Sequence, residues 1–152
     1  MDSTYILVYY NSPNKLVIDT LPGKGGSHGA QAAFQITIRD STHPITRGMP
    51  MHWMHTKDEL YDRFRGPAQN MEILATAFFS SGNKGTNRNE PMLMTIRYGK
   101  DRVFHTPLGH VDYTSECVGL MYHLSSRAAQ WSAPGKVDIH IPGDLPSENT
   151  TS

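Results

Sequence analysis

Eight histidines and one cysteine set the chemistry open to this sequence. A single cysteine excludes an internal disulfide framework and a cysteine-rich zinc module. Imidazole titrates near neutral pH and ligates metals, so proton transfer or metal chemistry would come from the histidines. His52 and His55, and His105 and His110, form two close pairs, but neither makes the His-Glu-x-x-His zinc motif. A zinc site can also be assembled from distant loops, and His28, His110 and a carboxylate such as Glu59 would supply its protein ligands. For most of these histidines a hydrogen-bonded loop residue is the stronger reading. His110 is the exception. It follows the strand-like Arg102–His105 through Thr106-Pro107-Leu108-Gly109, and a loop leaving a strand end is where α/β folds place their sites.

Carboxylates and aromatics gather nearby in sequence. Asp58, Glu59 and Asp62 surround Tyr61, and paired carboxylates suit acid–base work on sugars. The competing reading is solvated charge beside Lys57, Arg63 or Arg65, which is favoured for Asp62. In an extended segment Glu59 and Tyr61 share one face and Asp58 lies on the other. Tyr61 and Trp53 could stack on a sugar ring or belong to the core. The glycine-rich stretch Gly23–Gly29 carries His28 but lacks the third glycine of a dinucleotide fingerprint and leads into a strand, so it reads as a turn and no nucleotide is expected. For His43-Pro44 a structural corner and a site residue are evenly balanced. Cys117 falls on an apolar helical stripe, which argues for an inert thiol and against a nucleophile.

These residues must be positioned by one domain, since the chain has 152 residues. Fourteen basic residues balance fourteen acidic ones, which argues against a nucleic-acid binder or a polybasic membrane anchor. There is no apolar run of the ~20 residues needed to span a membrane, and with no signal peptide seen a cytoplasmic location is expected. Strands are expected at Tyr5–Tyr10, Leu16–Ile18, Phe34–Ile38, Met71–Phe79, Met92–Tyr98, Arg102–His105 and Val137–Ile141. Gly99-Lys100-Asp101 joins two of them as a hairpin. Met51–Arg65 is ambiguous and compatible with an extended chain, and Ser80–Pro91 reads as an exposed loop. The helix is expected over Ser115–Trp131, with Cys117, Met121, Leu124, Ala128 and Trp131 forming its stripe and Pro134-Gly135 stopping it. One helix is too few for a doubly wound parallel sheet. The domain is expected to cover residues 1–146, with 147–152 a disordered tail.

The strings His43–Gly48 (HPITRG), Asp58–Tyr61 (DELY), Asn70–Ala77 (NMEILATA), Glu90–Lys100, Arg102–Thr106, Leu108–His110 and Trp131–Val137 stand in an order that resembles the trehalose-utilisation, or ThuA-like, family over Gly25–Pro146. The resemblance implies an α/β fold, a class I glutamine amidotransferase-like or flavodoxin-like three-layer sheet, here shortened at the N-terminus, with a mixed sheet and a late β-hairpin. It implies carbohydrate catabolism, acting on a disaccharide or keto-sugar. Carried over, His110, His28 and Glu59 are the catalytic residues, and His28 and His110 would hold a divalent metal, zinc first. Tyr61, with Trp53 and His55 in a segment that fits the pattern more loosely, would contact the sugar. A homo-oligomer is expected. The alternative is a non-catalytic truncated homologue, a structural or self-assembling subunit that pairs through an open sheet edge.

Overall fold

Short connections between long apolar strands decide the topology. The computed structural model describes residues 7–10, 15–19, 25–64, 70–117 and 123–151. Its strands are β1 (Leu7–Tyr10), β2 (Leu16–Asp19), β3 (Ser27–His28), β4 (Ala32–Ile38), β5 (His52–Asp58), β6 (Tyr61–Asp62), β7 (Met71–Phe79), β8 (Arg88–Tyr98) and β9 (Asp101–His105), and its helix is α1 (His123–Ser132). Seven strands form one sheet in the order β2-β1-β8-β7-β4-β5, with β9 also on β8, while β3 and β6 pair separately.

Every described strand pair is antiparallel. The molecule is thus a mixed α/β domain built on an antiparallel sheet; the three-layer arrangement and the mixed sheet that the resemblance implies do not appear among the described residues. A parallel crossover takes a dozen or more residues, usually as a helix. The connection from Phe79 to Arg88 is a short loop with one 3-10 turn at Ser81–Asn83, and β8 turns into β9 through Gly99 and Lys100. Gly99 has φ +61°, the left-handed conformation such a tight turn needs. The late hairpin expected from the sequence is therefore present.

The core sits on β4, β5, β7, β8 and α1. In β4 only one face is buried, through Ile36 and Ile38, as its alternating sequence requires. Residues Ile73–Ala77 of β7 and Glu90–Thr95 of β8 are buried continuously, the pattern of strands covered on both faces. Leu124, Ala128 and Trp131 seat α1 in the same cluster, the stripe expected from their spacing. The described helix starts at His123, so its expected first half lies partly outside the described residues, and Cys117 instead ends a 3-10 turn at Asp112–Glu116.

Three further differences bear on function. Ser27–His28, read as part of a turn, is a short strand, and so is Tyr61–Asp62, with His28 directly opposite Tyr61. Arg88–Pro91 belongs to β8 and is not a loop. Val137–Ile141 is not a strand, because side chains satisfy its backbone: Gln130 accepts from the N–H of Asp138 and Ile139, and Arg127 donates to the Ile139 carbonyl. The His43–Gly48 segment is a structural corner, with His43 buried against the Trp131 ring at 5.0 Å and its Nδ1 accepting from the Ile45 N–H. At the other end, the Ser147 carbonyl accepts from the Met54 N–H of β5. Among the described residues no helix is long and apolar enough to cross a membrane.

Candidate functional site

Three segments deliver side chains to one point. The β3–β6 pair brings His28 beside Tyr61, with ring centroids 5.4 Å apart. Gly29 holds β3 down on the end of β7. A Cβ at that position would stand 2.6 Å from Phe79 Cζ and 2.7 Å from the Asn83 carbonyl oxygen, so only glycine allows the approach. The loop leaving β9 supplies His110, whose ring lies 6.0 Å from Tyr61. Between β5 and β6 stands Glu59.

Glu59 Oε2 is the shared centre. It accepts the Tyr61 hydroxyl at 3.0 Å and lies 3.4 Å from His28 Nδ1 and 3.6 Å from His110 Nε2. His28 and His110 are about half exposed, while Glu59 is 13% exposed, so the carboxylate sits under two accessible imidazoles. Tyr61 Oη is also 3.0 Å from His110 Nδ1. Because the hydroxyl proton points to Glu59, Nδ1 carries its own proton and donates to the Tyr61 oxygen. This tautomer leaves Nε2 as the basic nitrogen of neutral His110. Burial, then the hydrogen bond and charge of Glu59, push the Tyr61 pKa up, so Tyr61 stays a hydroxyl. Tyr61, Phe64, Pro107, Leu108 and His110 line a pocket of about 400 Å³, with His105 also on its wall. That size suits a small ligand. A larger hollow of about 580 Å³, lined by Asn70, Met71, Glu72, Arg97 and Gly99, contains none of these histidines.

Beneath Glu59 the chain buries Asp58 and His55. Asp58 Oδ2 accepts from His55 Nε2 at 2.9 Å and from the Gly109 N–H at 2.8 Å, while Oδ1 accepts from the Glu59 N–H at 2.9 Å and the His110 N–H at 3.2 Å. Burial alone would raise its pKa, but the hydrogen bonds from His55, Gly109 and Glu59 and the His55 charge outweigh it and bring the group down to about 2. A depressed carboxylate pKa adds stability that is complete above the unfolded value and is lost as pH falls through the folded one. Urea unfolding between pH 5 and pH 2 is therefore expected to show a loss on the order of 2 kcal/mol from Asp58, and Asp58→Asn is expected to remove that part of the acid slope.

The structure thus brings His28, Glu59, Tyr61 and His110 together and leaves the other two expected site residues inside. Trp53 is fully buried in the core and His55 is 1% exposed. They share the inward face of β5, so neither reaches the pocket as placed. Asp62 is also buried, not solvated. Burial raises its pKa, partly offset by Arg63, His28 and Arg88, and Glu90 beside it is raised as well, by burial and by the Asp62 charge. Asp58 is the residue sequence reasoning passed over. Strict alternation would place it with His52 and Met54 on the outward face of β5, but a register shift between β4 and β5 (Phe34 opposite His55, Ala32 opposite Asp58) turns it inward beside His55. Among the described residues no group of three or more His, Cys, Asp or Glu side chains is arranged to hold a metal ion.

No curated protein matches the chain. A crystal structure from Parabacteroides merdae ATCC 43184, described as that of a thua-like protein, superposes with a TM-score of 0.88 at 44% identity, covering 97% of this chain and 54% of that one. The chain thus spans about half the length of that relative. The ThuA family model, described as trehalose utilisation, matches residues 13–132. Its span takes in β4 to β9 and every residue of the Glu59 cluster, and the chain belongs to the ThuA, or trehalose-utilisation, family.

Proposed function

We propose that the cluster around Glu59 is an acid–base site acting on a keto-sugar or a keto derivative of a disaccharide. One observation carries this reading: a nearly buried carboxylate oxygen faces two half-exposed imidazoles and a tyrosine hydroxyl on the edge of a sugar-sized pocket. The family's description, trehalose utilisation, supports a substrate related to a disaccharide. His110 Nε2 takes the proton from the carbon next to the ketone. The C–H electron pair moves into an enediolate, and the doubly protonated His28, whose Nδ1–H stays on the Gly29 carbonyl, donates its Nε2–H to the enediolate oxygen. Glu59 stabilises the imidazolium formed on His110, and Tyr61 keeps its ring turned and its tautomer fixed. The apolar wall of Phe64, Pro107 and Leu108 receives the flat face of the sugar.

A divalent ion, zinc first, would add polarisation of the ketone. His28, His110 and Glu59 have the donor types zinc takes. As placed, these side chains are engaged otherwise, His28 Nδ1 with the Gly29 carbonyl at 3.0 Å and Glu59 with Tyr61. The proton transfer described uses the side chains alone.

The test is solvent exchange. A keto-disaccharide mixed with the protein in D2O is expected to lose the proton signal beside its ketone faster than in buffer, as read by proton NMR. Exchange no faster than buffer across a panel of keto-disaccharides would sink the reading. Metal analysis of the same sample settles whether an ion shares the site.

A further inference from the structure

Asp58 lies too deep to touch a ligand, yet it holds both halves of the site. Its two oxygens accept the N–H of Glu59 on one side and of Gly109 and His110 on the other. Gly109 has φ +97°, so its N–H and that of His110 turn toward the same carboxylate, forming a small anion-binding nest. The nest is 51 and 52 residues away from Asp58 in sequence. Among the described residues no strand pairing joins this loop to β5, and the other tie nearby comes from just beyond the loop, where the Tyr113 hydroxyl donates to the Lys57 carbonyl. We propose that Asp58 is a positioning residue. It locks the loop 106–110 onto the end of β5, so that His110 Nε2 meets Glu59 Oε2, and His55 behind it fixes the carboxylate's rotation. The proposal rests on the acid–base reading of Glu59 and His110, but its first test does not.

That test is amide exchange and ring contact by NMR on the full chain. In the wild type the Gly109 and His110 amides are expected to be protected, and a nuclear Overhauser contact is expected between the His110 and Tyr61 rings. In Asp58→Asn the side-chain NH2 must face at least one of these N–H donors, so the protection is expected to fall at least tenfold and the ring contact to disappear. Amides at the centre of β7, far from the loop, should keep their protection. A ring contact that persists in Asp58→Asn, or Gly109 and His110 amides unprotected in the wild type, overturns the proposal whatever the protein's activity. With a substrate in hand, kcat is expected to fall about a hundredfold with KM within threefold, because geometry and not binding is lost; unchanged kcat would also overturn it. Should the wild type exchange no substrate proton, the functional reading fails while the amide and ring tests still decide the role of Asp58. Should Asp58→Asn not fold, His55→Gln takes its place. It is expected to lower Gly109 protection several-fold, and no change there would count against the proposal.

Discussion

A His110→Ala chain is expected to exchange the proton beside a sugar ketone 10²–10⁴-fold more slowly than the wild type, and to melt at the same temperature. The rate figure is the usual worth of a placed general base. The unchanged melting temperature follows from the geometry. The His110 side chain is about half exposed, and its loop is held by the Gly109 and His110 N–H groups on Asp58 and by the Thr106 hydroxyl on the Met92 carbonyl, all of which alanine at 110 keeps. The described polar contacts of the ring are the Tyr61 oxygen and the Glu59 carboxylate, which keep their own hydrogen bond to each other when the ring is gone. Proton NMR in D2O gives the rate and calorimetry gives the stability. Retention of full activity would remove His110 from the chemistry and leave Glu59 with His28 as the only acid–base pair of the cluster. A His105→Ala chain is the control, since His105 lines the same pocket without reaching the Glu59 hydrogen bonds. It is expected to lose far less.

How much of this was legible beforehand depends on the residue. His28, Glu59, Tyr61 and His110 were picked out because the glycine-rich loop, the Asp58–Tyr61 string and Gly109-His110 match the family pattern, and the fold brings all four to one point. Trp53 and His55 could not be placed, because both faces of β5 look alike. His52 and Met54 point one way and Trp53 and His55 the other, and only the packing of β4 beside β5 decides which pair is inside. Asp62 read as solvated charge, and for Asp58 that reading and acid–base work stayed open. Their burial depends on partners distant in sequence, such as the Gly109 N–H, that no local pattern announces. The expectation of a three-layer sheet came with the family resemblance, whereas the short connections along β7–β8–β9 already pointed to antiparallel pairing. The helical stripe was read correctly at Leu124, Ala128 and Trp131, where the period is backed by burial. It was extended too far at Cys117, which the Asp112–Glu116 turn claims.

Arg127→Met is expected to cost about 3–5 kcal/mol of stability, since it leaves several buried carbonyls without their donor at roughly 1–3 kcal/mol each, offset in part by no longer burying a charge. Arg127 is 4% exposed, and its described partners are all carbonyl oxygens. Nε donates to Ile45 at 2.6 Å, and Nη2 donates to Pro44 at 2.8 Å and to Arg47 at 2.9 Å. Nη1 donates to Ile139. Burial, with the Arg47 charge, pulls its pKa down, though from the high starting point of a guanidinium. Methionine fills much of the same volume but leaves these carbonyls buried without a donor. At roughly 2–4 °C per kcal/mol for a chain of this size, melting should fall by about 10 °C. Arg127→Lys should recover little, because an ammonium cannot reach carbonyls spread along the planar fork. Urea unfolding measures the loss, and a cost below about 1 kcal/mol would mean that the corner holds without its guanidinium. The corner lies between β4 and β5, and β5 ends in Asp58. Its loss should therefore lower the fraction of folded chains while each folded chain keeps its rate. That separates Arg127 from His110, whose replacement should do the reverse.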